Sequence, residues 1–187
     1  MANLNGKRIA ILATNGFEQA ELEVPQTKLR EAGAQVDVVS PESGEIRGWD
    51  EKDWGNKVRV DRALSDVSAG DYDALVLPGG QINPDILRVN KEALALITAF
   101  FDQKKVIAAI CHAPWLLIQT GLVKGRNVTG YKSILTDLRN AGGIVHDEAV
   151  ITDEGIITSR NPGDLDQFCA KIVEEINEGR HTQRKAA

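Results

Sequence analysis

The residues best equipped for chemistry stand together at Ile110-Cys111-His112-Ala113-Pro114. An apolar run, Val106 to Ile110, stops at a cysteine, a histidine follows at once, and a helical pattern begins just after. In an α/β protein such a junction is a sharp turn at the carboxyl end of a strand, where ligands and reactions collect. A thiol beside a helix N-terminus is expected to lose its proton easily, because the dipole and free N–H groups favour the anion. Cys111 is therefore the candidate nucleophile, although free cysteines also serve as small buried hydrophobes. His112 is a candidate base or orienter, provided the backbone bends to bring two consecutive side chains together. Two further strand ends converge on the same edge. One leads into Thr14-Asn15-Gly16-Phe17-Glu18, the other into Pro78-Gly79-Gly80. If Glu18 lies against Cys111, burial and the nearby thiolate both raise its pKa, and the protonated carboxyl can donate to the sulfur or act as general acid and base. Its other reading is a surface acid favouring a helix N-terminus. The glycine pair lets backbone approach a ligand at Gly79, and the N–H groups of Gly80 and His112 are candidates for an oxyanion hole.

The elements that position these groups alternate between strand and helix. Arg8 to Ala13 is a nearly unbroken apolar run, as expected of a strand buried on both faces. Phe17 to Ala32 reads as a helix with Leu22 and Leu29 facing inward, a bend at Pro25 and a stop at Gly33. Strands follow at 35–40 and 72–77, and Asn90 caps a helix over 91–103 with Leu94, Ile97, Phe100 and Phe101 on one face. The segment 41–59, which carries Trp49 and Trp54, reads as an excursion with a small hairpin. Residues 134–140 are helical, 149–159 form a hairpin around Asp153-Glu154, and 164–178 is the last helix. The basic tail 180–185 reads as a frayed end. Without repeats or linkers, the whole of 1–187 reads as one domain of α/β class, a three-layer sandwich around a mostly parallel, doubly wound sheet.

Composition narrows the function. Twenty-two Lys and Arg against 27 Asp and Glu give a net charge of −5, with no basic footprint for nucleic acid. No apolar run approaches the roughly 20 residues that span a bilayer, and the start resembles no signal peptide, so a cytoplasmic protein is expected. Two cysteines, Cys111 and Cys169, make no disulfide framework. Cys169 shares an apolar helix face with Phe168, Ile172 and Ile176 and reads as core. The three histidines, His112, His146 and His181, lack zinc-like spacing, and the glycines fit neither the dinucleotide nor the P-loop pattern, so no metal and no cofactor are expected.

Read in order, Gly16-Phe17-Glu18, Leu77-Pro78-Gly79-Gly80, Asn83 to Arg88, Ala109-Ile110-Cys111-His112-Ala113-Pro114 and Thr158 to Leu165 resemble the PfpI-type intracellular cysteine peptidases. Their superfamily also holds the Parkinsonism-associated deglycase and the class I glutamine amidotransferases. The resemblance covers most of the chain and implies a flavodoxin-like fold assembled as a homodimer or hexamer. It implies that Cys111 is the nucleophile at a strained elbow, touched by the carboxyl matching Glu18, and that His112 meets an acid from a neighbouring subunit. Asp85 matches that acid but is one methylene shorter than the family's glutamate. Tyr131 matches a tyrosine lining the family's pocket, and Ala113 stands where glycine is commoner, its methyl narrowing the pocket mouth.

Members of the superfamily act as peptidases, cofactor-free glyoxalases, deglycases, chaperones and oxidation sensors. The expected function is a stress-protective enzyme acting on small reactive aldehydes or glycated proteins. The alternatives are an oligomeric peptidase using Cys111, His112 and a neighbour's Asp85, and a non-enzymatic redox sensor or chaperone working through Cys111.

Overall fold

In a computed structural model of the chain, which describes residues 3–185, a seven-stranded sheet runs β11-β12-β8-β7-β1-β3-β6. Its strands are β1 (Arg8–Leu12), β3 (Gln35–Ser40), β6 (Arg62–Ala63), β7 (Ala74–Leu77), β8 (Val106–Ile110), β11 (Val150–Asp153) and β12 (Ile156–Ser159). All neighbours are parallel except the β11–β12 hairpin. Alternation along the strands fills two cores. Ile9, Ile11, Val76, Ala108 and Ile110 meet helices α1 (Gln19–Glu31) and α6 (Leu165–Glu178) on one face. Ala10, Leu12, Leu75, Leu77, Ile107 and Ala109 meet α3 (Lys91–Asp102), α4 (Pro114–Gln119) and α5 (Leu135–Asn140) on the other. This is the expected three-layer α/β sandwich. Both faces are covered, so the strands read as continuous apolar runs.

From β1 the chain goes first to β3 on one side and then to β7 on the other. The reversal opens a crevice at the carboxyl ends of β1 and β7, where open parallel sheets bind ligands. Three smaller features shape its surroundings. The excursion forms a hairpin, β4 (Glu45–Asp50) with β5 (Asp53–Arg59), and β4 pairs with β2 (Phe17–Glu18). A short helix, α2 (Ile82–Leu87), follows the glycine pair. A two-stranded parallel ribbon joins β9 (Asn127–Val128) to β10 (Ile144–Val145).

Several expectations change. The first helix begins at Gln19 rather than Phe17, because Phe17 and Glu18 are extended and paired with β4. Asn90 caps α3 as expected, its side chain accepting from the Ala93 N–H at 3.0 Å, but Leu96 rather than Leu94 completes the buried face. The tail is docked rather than frayed. Arg184 is 3% exposed and donates to the carbonyls of Glu154 (2.7 Å), Lys105 (2.8 Å) and Phe101 (3.3 Å). Arg126 donates to the Lys185 carbonyl at 2.6 Å, and the Arg126 and Arg184 guanidinium groups both lie 5.2 Å from the Phe101 ring centre. A basic tail finds carbonyls and an aromatic face here, so its charge is used rather than solvated.

Replacing Arg184 by alanine strands those buried carbonyls. A loss of about 2–4 kcal/mol is expected in chemical denaturation. An unchanged midpoint would show that the docked tail adds nothing to stability.

Candidate active site

Cys111 sits at the elbow between β8 and α4 with φ = 64°, a left-handed conformation uncommon for a residue with a side chain. Hydrogen bonds on both sides impose it. The Cys111 N–H donates to the Ser159 carbonyl at 3.0 Å, and its carbonyl accepts from the Tyr131 N–H at 2.8 Å. The bend brings consecutive side chains together, with Sγ 3.2 Å from Nδ1 of His112. The imidazole stacks on Tyr131 (centroids 4.7 Å, planes 29° apart) and leans on Trp115 at 5.2 Å. Burial lowers its pKa, so it is neutral at pH 7.

The carboxyl that meets the sulfur belongs to Glu21, not Glu18. Glu18 precedes α1 in extended conformation and lines the mouth of the cavity, whereas Glu21 lies one turn further on, fully buried with Leu22, Pro25 and Leu29. The Gly79 N–H donates to its Oε2 at 2.8 Å, while Oε1 has no hydrogen-bond partner of its own. Burial pushes the Glu21 pKa up to about 8, with the Gly79 N–H pulling the other way and the Glu18 charge adding to the rise. Burial also pushes the Cys111 thiol up, a charged Glu21 pushes it further, and the N–H groups of Gly80 and His112 oppose the rise. The easily ionised thiol expected beside a helix N-terminus is therefore not what the fold builds. The helix after the elbow has six residues, and burial outweighs it. Thiol and acid share protons, so near neutrality the pair carries at most one negative charge.

The glycines have a steric reason. A Cβ on Gly79 would lie 2.6 Å from Glu21 Oε2 and 2.7 Å from the Cys111 Cβ; Gly80, at φ = 78°, would strike the Gly16 carbonyl oxygen at 2.6 Å. The N–H groups of Gly80 and His112 both face the sulfur, the placement an oxyanion hole requires. Ala113 is wholly buried in the core beneath the elbow rather than at the cavity mouth. Tyr131 does line the cavity. Asp85 is exposed on α2 and makes no hydrogen bond or ion pair among the described residues. Cys169 is buried on α6, where burial raises its thiol pKa to about 12.

Two residues not anticipated from the sequence hold the site. Asn83 is fully buried; its Oδ1 accepts from the Thr14 N–H at 2.8 Å and its Nδ2 donates to the carbonyls of Pro78 (2.8 Å) and Gly79 (3.2 Å). It thus ties the loop after β1 to the loop after β7. Ser133 Oγ lies 3.1 Å from Nε2 of His112. The resulting cavity encloses about 490 Å³, with Cys111, His112, Glu21 and Tyr131 among its walls.

Comparison with known proteins identifies the family. Residues 7–175 match the DJ-1/PfpI family. The deglycase PfpI of Pyrococcus furiosus is 39% identical over 166 residues, covering 89% of this chain and 97% of the relative. YraA of Bacillus subtilis, provisionally named a cysteine protease, is 44% identical over 163 residues, covering 87% and 94%. The crystal structure of Drosophila melanogaster DJ-1beta superposes with a TM-score of 0.82 at 29% identity, covering 92% of this chain and 94% of that one.

The buried acid makes stability pH-dependent. Its pKa is about 8 when folded against an ordinary 4.5, so the folded protein keeps a proton that the unfolded chain releases. This contribution is whole below pH 4.5 and declines as pH climbs toward 8, by a few kcal/mol in all. Urea denaturation of Glu21→Gln should lose less stability than wild type between pH 5 and pH 8. Parallel curves would show that Glu21 is ionised throughout.

Proposed function

The chain belongs to the DJ-1/PfpI family, and from that premise and the site we propose that it is a cysteine-dependent enzyme acting on reactive carbonyls, free or as early adducts on proteins. The observation that carries this reading is a buried carboxyl, its pKa near 8, set against the Cys111 thiol. Such a group gives and takes protons at neutral pH.

With methylglyoxal the steps balance without a cofactor. The thiol proton passes to Nδ1 of His112 and the sulfur adds to the aldehyde carbon. The N–H groups of Gly80 and His112 hold the developing oxyanion until it takes that proton. Glu21, as carboxylate, removes the hydrogen from the same carbon and returns it at the neighbouring carbonyl carbon, while the hydroxyl proton moves from the first oxygen to the second, turning the hemithioacetal into a thioester. Water cleaves the thioester, freeing lactate and the thiol. An early adduct would enter at the same carbon.

The thiol–imidazole contact of 3.2 Å also favours a second reading, peptide hydrolysis. In that reading His112 needs an acid, and Asp85 of a neighbouring subunit is the candidate.

Purified protein incubated with methylglyoxal and no glutathione should form lactate. Cys111→Ala should abolish the activity, Glu21→Gln should lower it about 10²–10⁴-fold, and Cys169→Ala should retain it. Activity should rise with pH toward 8 as Glu21 becomes carboxylate. A wild type that forms no more lactate than Cys111→Ala, yet cleaves peptides, would replace this reading with the second.

A further inference from the structure

Away from the Cys111 cavity, the end of α6 gathers ligand-type side chains that the proposed chemistry does not use. Carboxylate oxygens of Glu174, Glu175 and Glu178 lie within 4.8 Å of one another. Acids at a helix end are common on protein surfaces, but one member of this set is inside. Glu175 is 6% exposed, and its carboxylate accepts no hydrogen bond among the described residues. A buried carboxylate without a donor is costly, and buried polar groups rarely go unpaired. Lys171 pairs with Glu174 at 2.8 Å, whereas Glu175 and Glu178 have no lysine or arginine partner among the described residues. Arg184 does not fill the gap, because its guanidinium is committed to three backbone carbonyls.

The docked tail supplies a second observation. Gly179, at φ = 93°, ends α6 and turns the chain back, and the His181 N–H donates to the Lys104 carbonyl at 3.0 Å. The imidazole packs over Gly155, where a Cβ would strike its Cδ2. Its Nε2 is buried and stands 3.2 Å from Oε2 of Glu175, yet the two form no hydrogen bond. A shared proton must lie near the line between two such atoms. A metal ion lies off that line, at the apex of a triangle, and ligand atoms about 2.0 Å from a tetrahedral zinc ion stand about 3.3 Å apart. The observed spacing is that of two neighbouring ligands. The negative end of the α6 dipole also favours a cation here.

We propose that Glu175, Glu178 and His181 form a binding site for a divalent transition-metal ion of the zinc type, which clips the C-terminal tail to α6. Imidazole beside carboxylates favours such an ion over magnesium and calcium, which take oxygen ligands. Water completes the coordination. The site lies by the amino ends of β8 and β12, at the opposite edge of the sheet from Cys111, and is independent of the reaction proposed there. No linear motif records it, because its histidine arrives by a turn of the chain rather than on the helix.

Equilibrium dialysis of chelator-treated protein against zinc chloride at neutral pH, with bound metal read by atomic emission, tests this. Wild type and Cys111→Ala should each retain at least one equivalent, the second variant excluding zinc held by the active-site thiol. Glu178→Gln, at an exposed position that folding does not depend on, should weaken this binding about tenfold or more, as should His181→Ala. His146→Ala, outside the cluster, should leave it unchanged, and magnesium at equal concentration should not compete. With free zinc at ten times its measured Kd, hydrogen exchange at the His181 and Arg184 amides, whose bonds hold the tail, should slow about tenfold in wild type and not in Glu178→Gln. Absence of bound zinc, binding lost in Cys111→Ala yet kept in Glu178→Gln, or tail exchange unchanged by zinc would each overturn the proposal.

Discussion

The site depends on one costly arrangement, a carboxyl side chain placed wholly inside the protein beside a sulfur. Burying an acid this way is tolerated because the group stays protonated and one oxygen is tied to a backbone N–H. That tie sets terms for its neighbours. Gly79 must lack a side chain, since a Cβ would overlap both the Glu21 oxygen and the cysteine. Asn83 must hold the Gly79 carbonyl from the other side while gripping the loop after β1. The glycine pair, the asparagine and the glutamate act as one unit, and the cysteine is lowered onto it by a strained backbone.

The sheet topology explains why these pieces can meet. Cys111, Gly79-Gly80 and Glu18-Glu21 follow three adjacent strands, β8, β7 and β1, so their loops emerge side by side at one edge. The elbow adds what the topology alone cannot. Neighbouring side chains on a strand point to opposite faces, and only the positive φ of Cys111 turns the thiol back toward the His112 ring. The strain costs on the order of 1 kcal/mol and is held by two backbone hydrogen bonds to β12 and to the residue beginning the turn before α5.

Much of this was legible in the sequence, for a simple reason. Fully buried parallel strands read as unbroken apolar runs, so β1, β7 and β8, and the place of Cys111 at the end of one of them, are legible. The acid was misplaced by one helical turn. Glu18 fits only if the helix starts at Phe17, yet Phe17 and Glu18 pair with a strand 31 residues later in the chain, a tertiary contact that no local pattern records. A signal did exist. Glu21 falls four residues before Pro25 and eight before Leu29, on the buried stripe of α1, and a glutamate on an apolar stripe is itself a mark of function. Asn83 and Ser133 act through contacts 69 and 21 residues away, so their roles are not written locally, although Asn83 begins one of the segments that carry the family resemblance. The tail misled because its charges look like solvated ends, whereas the partners of Arg184 are carbonyls, invisible to composition.

The protonation of the site bears on the chemistry it can support. With a neutral imidazole, a protonated acid and a buried thiol, the resting cavity holds little charge at its base and two acids, Glu18 and Glu51, at its mouth. A reactive anion is therefore not displayed at rest. The imidazole fits that resting state. Its Nε2 is engaged by a serine hydroxyl rather than by a carboxylate within the chain, so nothing among the described residues stabilises a permanently charged ring. A full thiolate–imidazolium pair, the resting state suited to peptide bond attack, needs an acid beside His112 that the described residues of a single chain do not place there. Carbonyl addition needs less. On the proposed carbonyl reading, an aldehyde is electrophilic enough to meet a thiol deprotonated only at the moment of attack, and Glu21 would carry the later proton transfers.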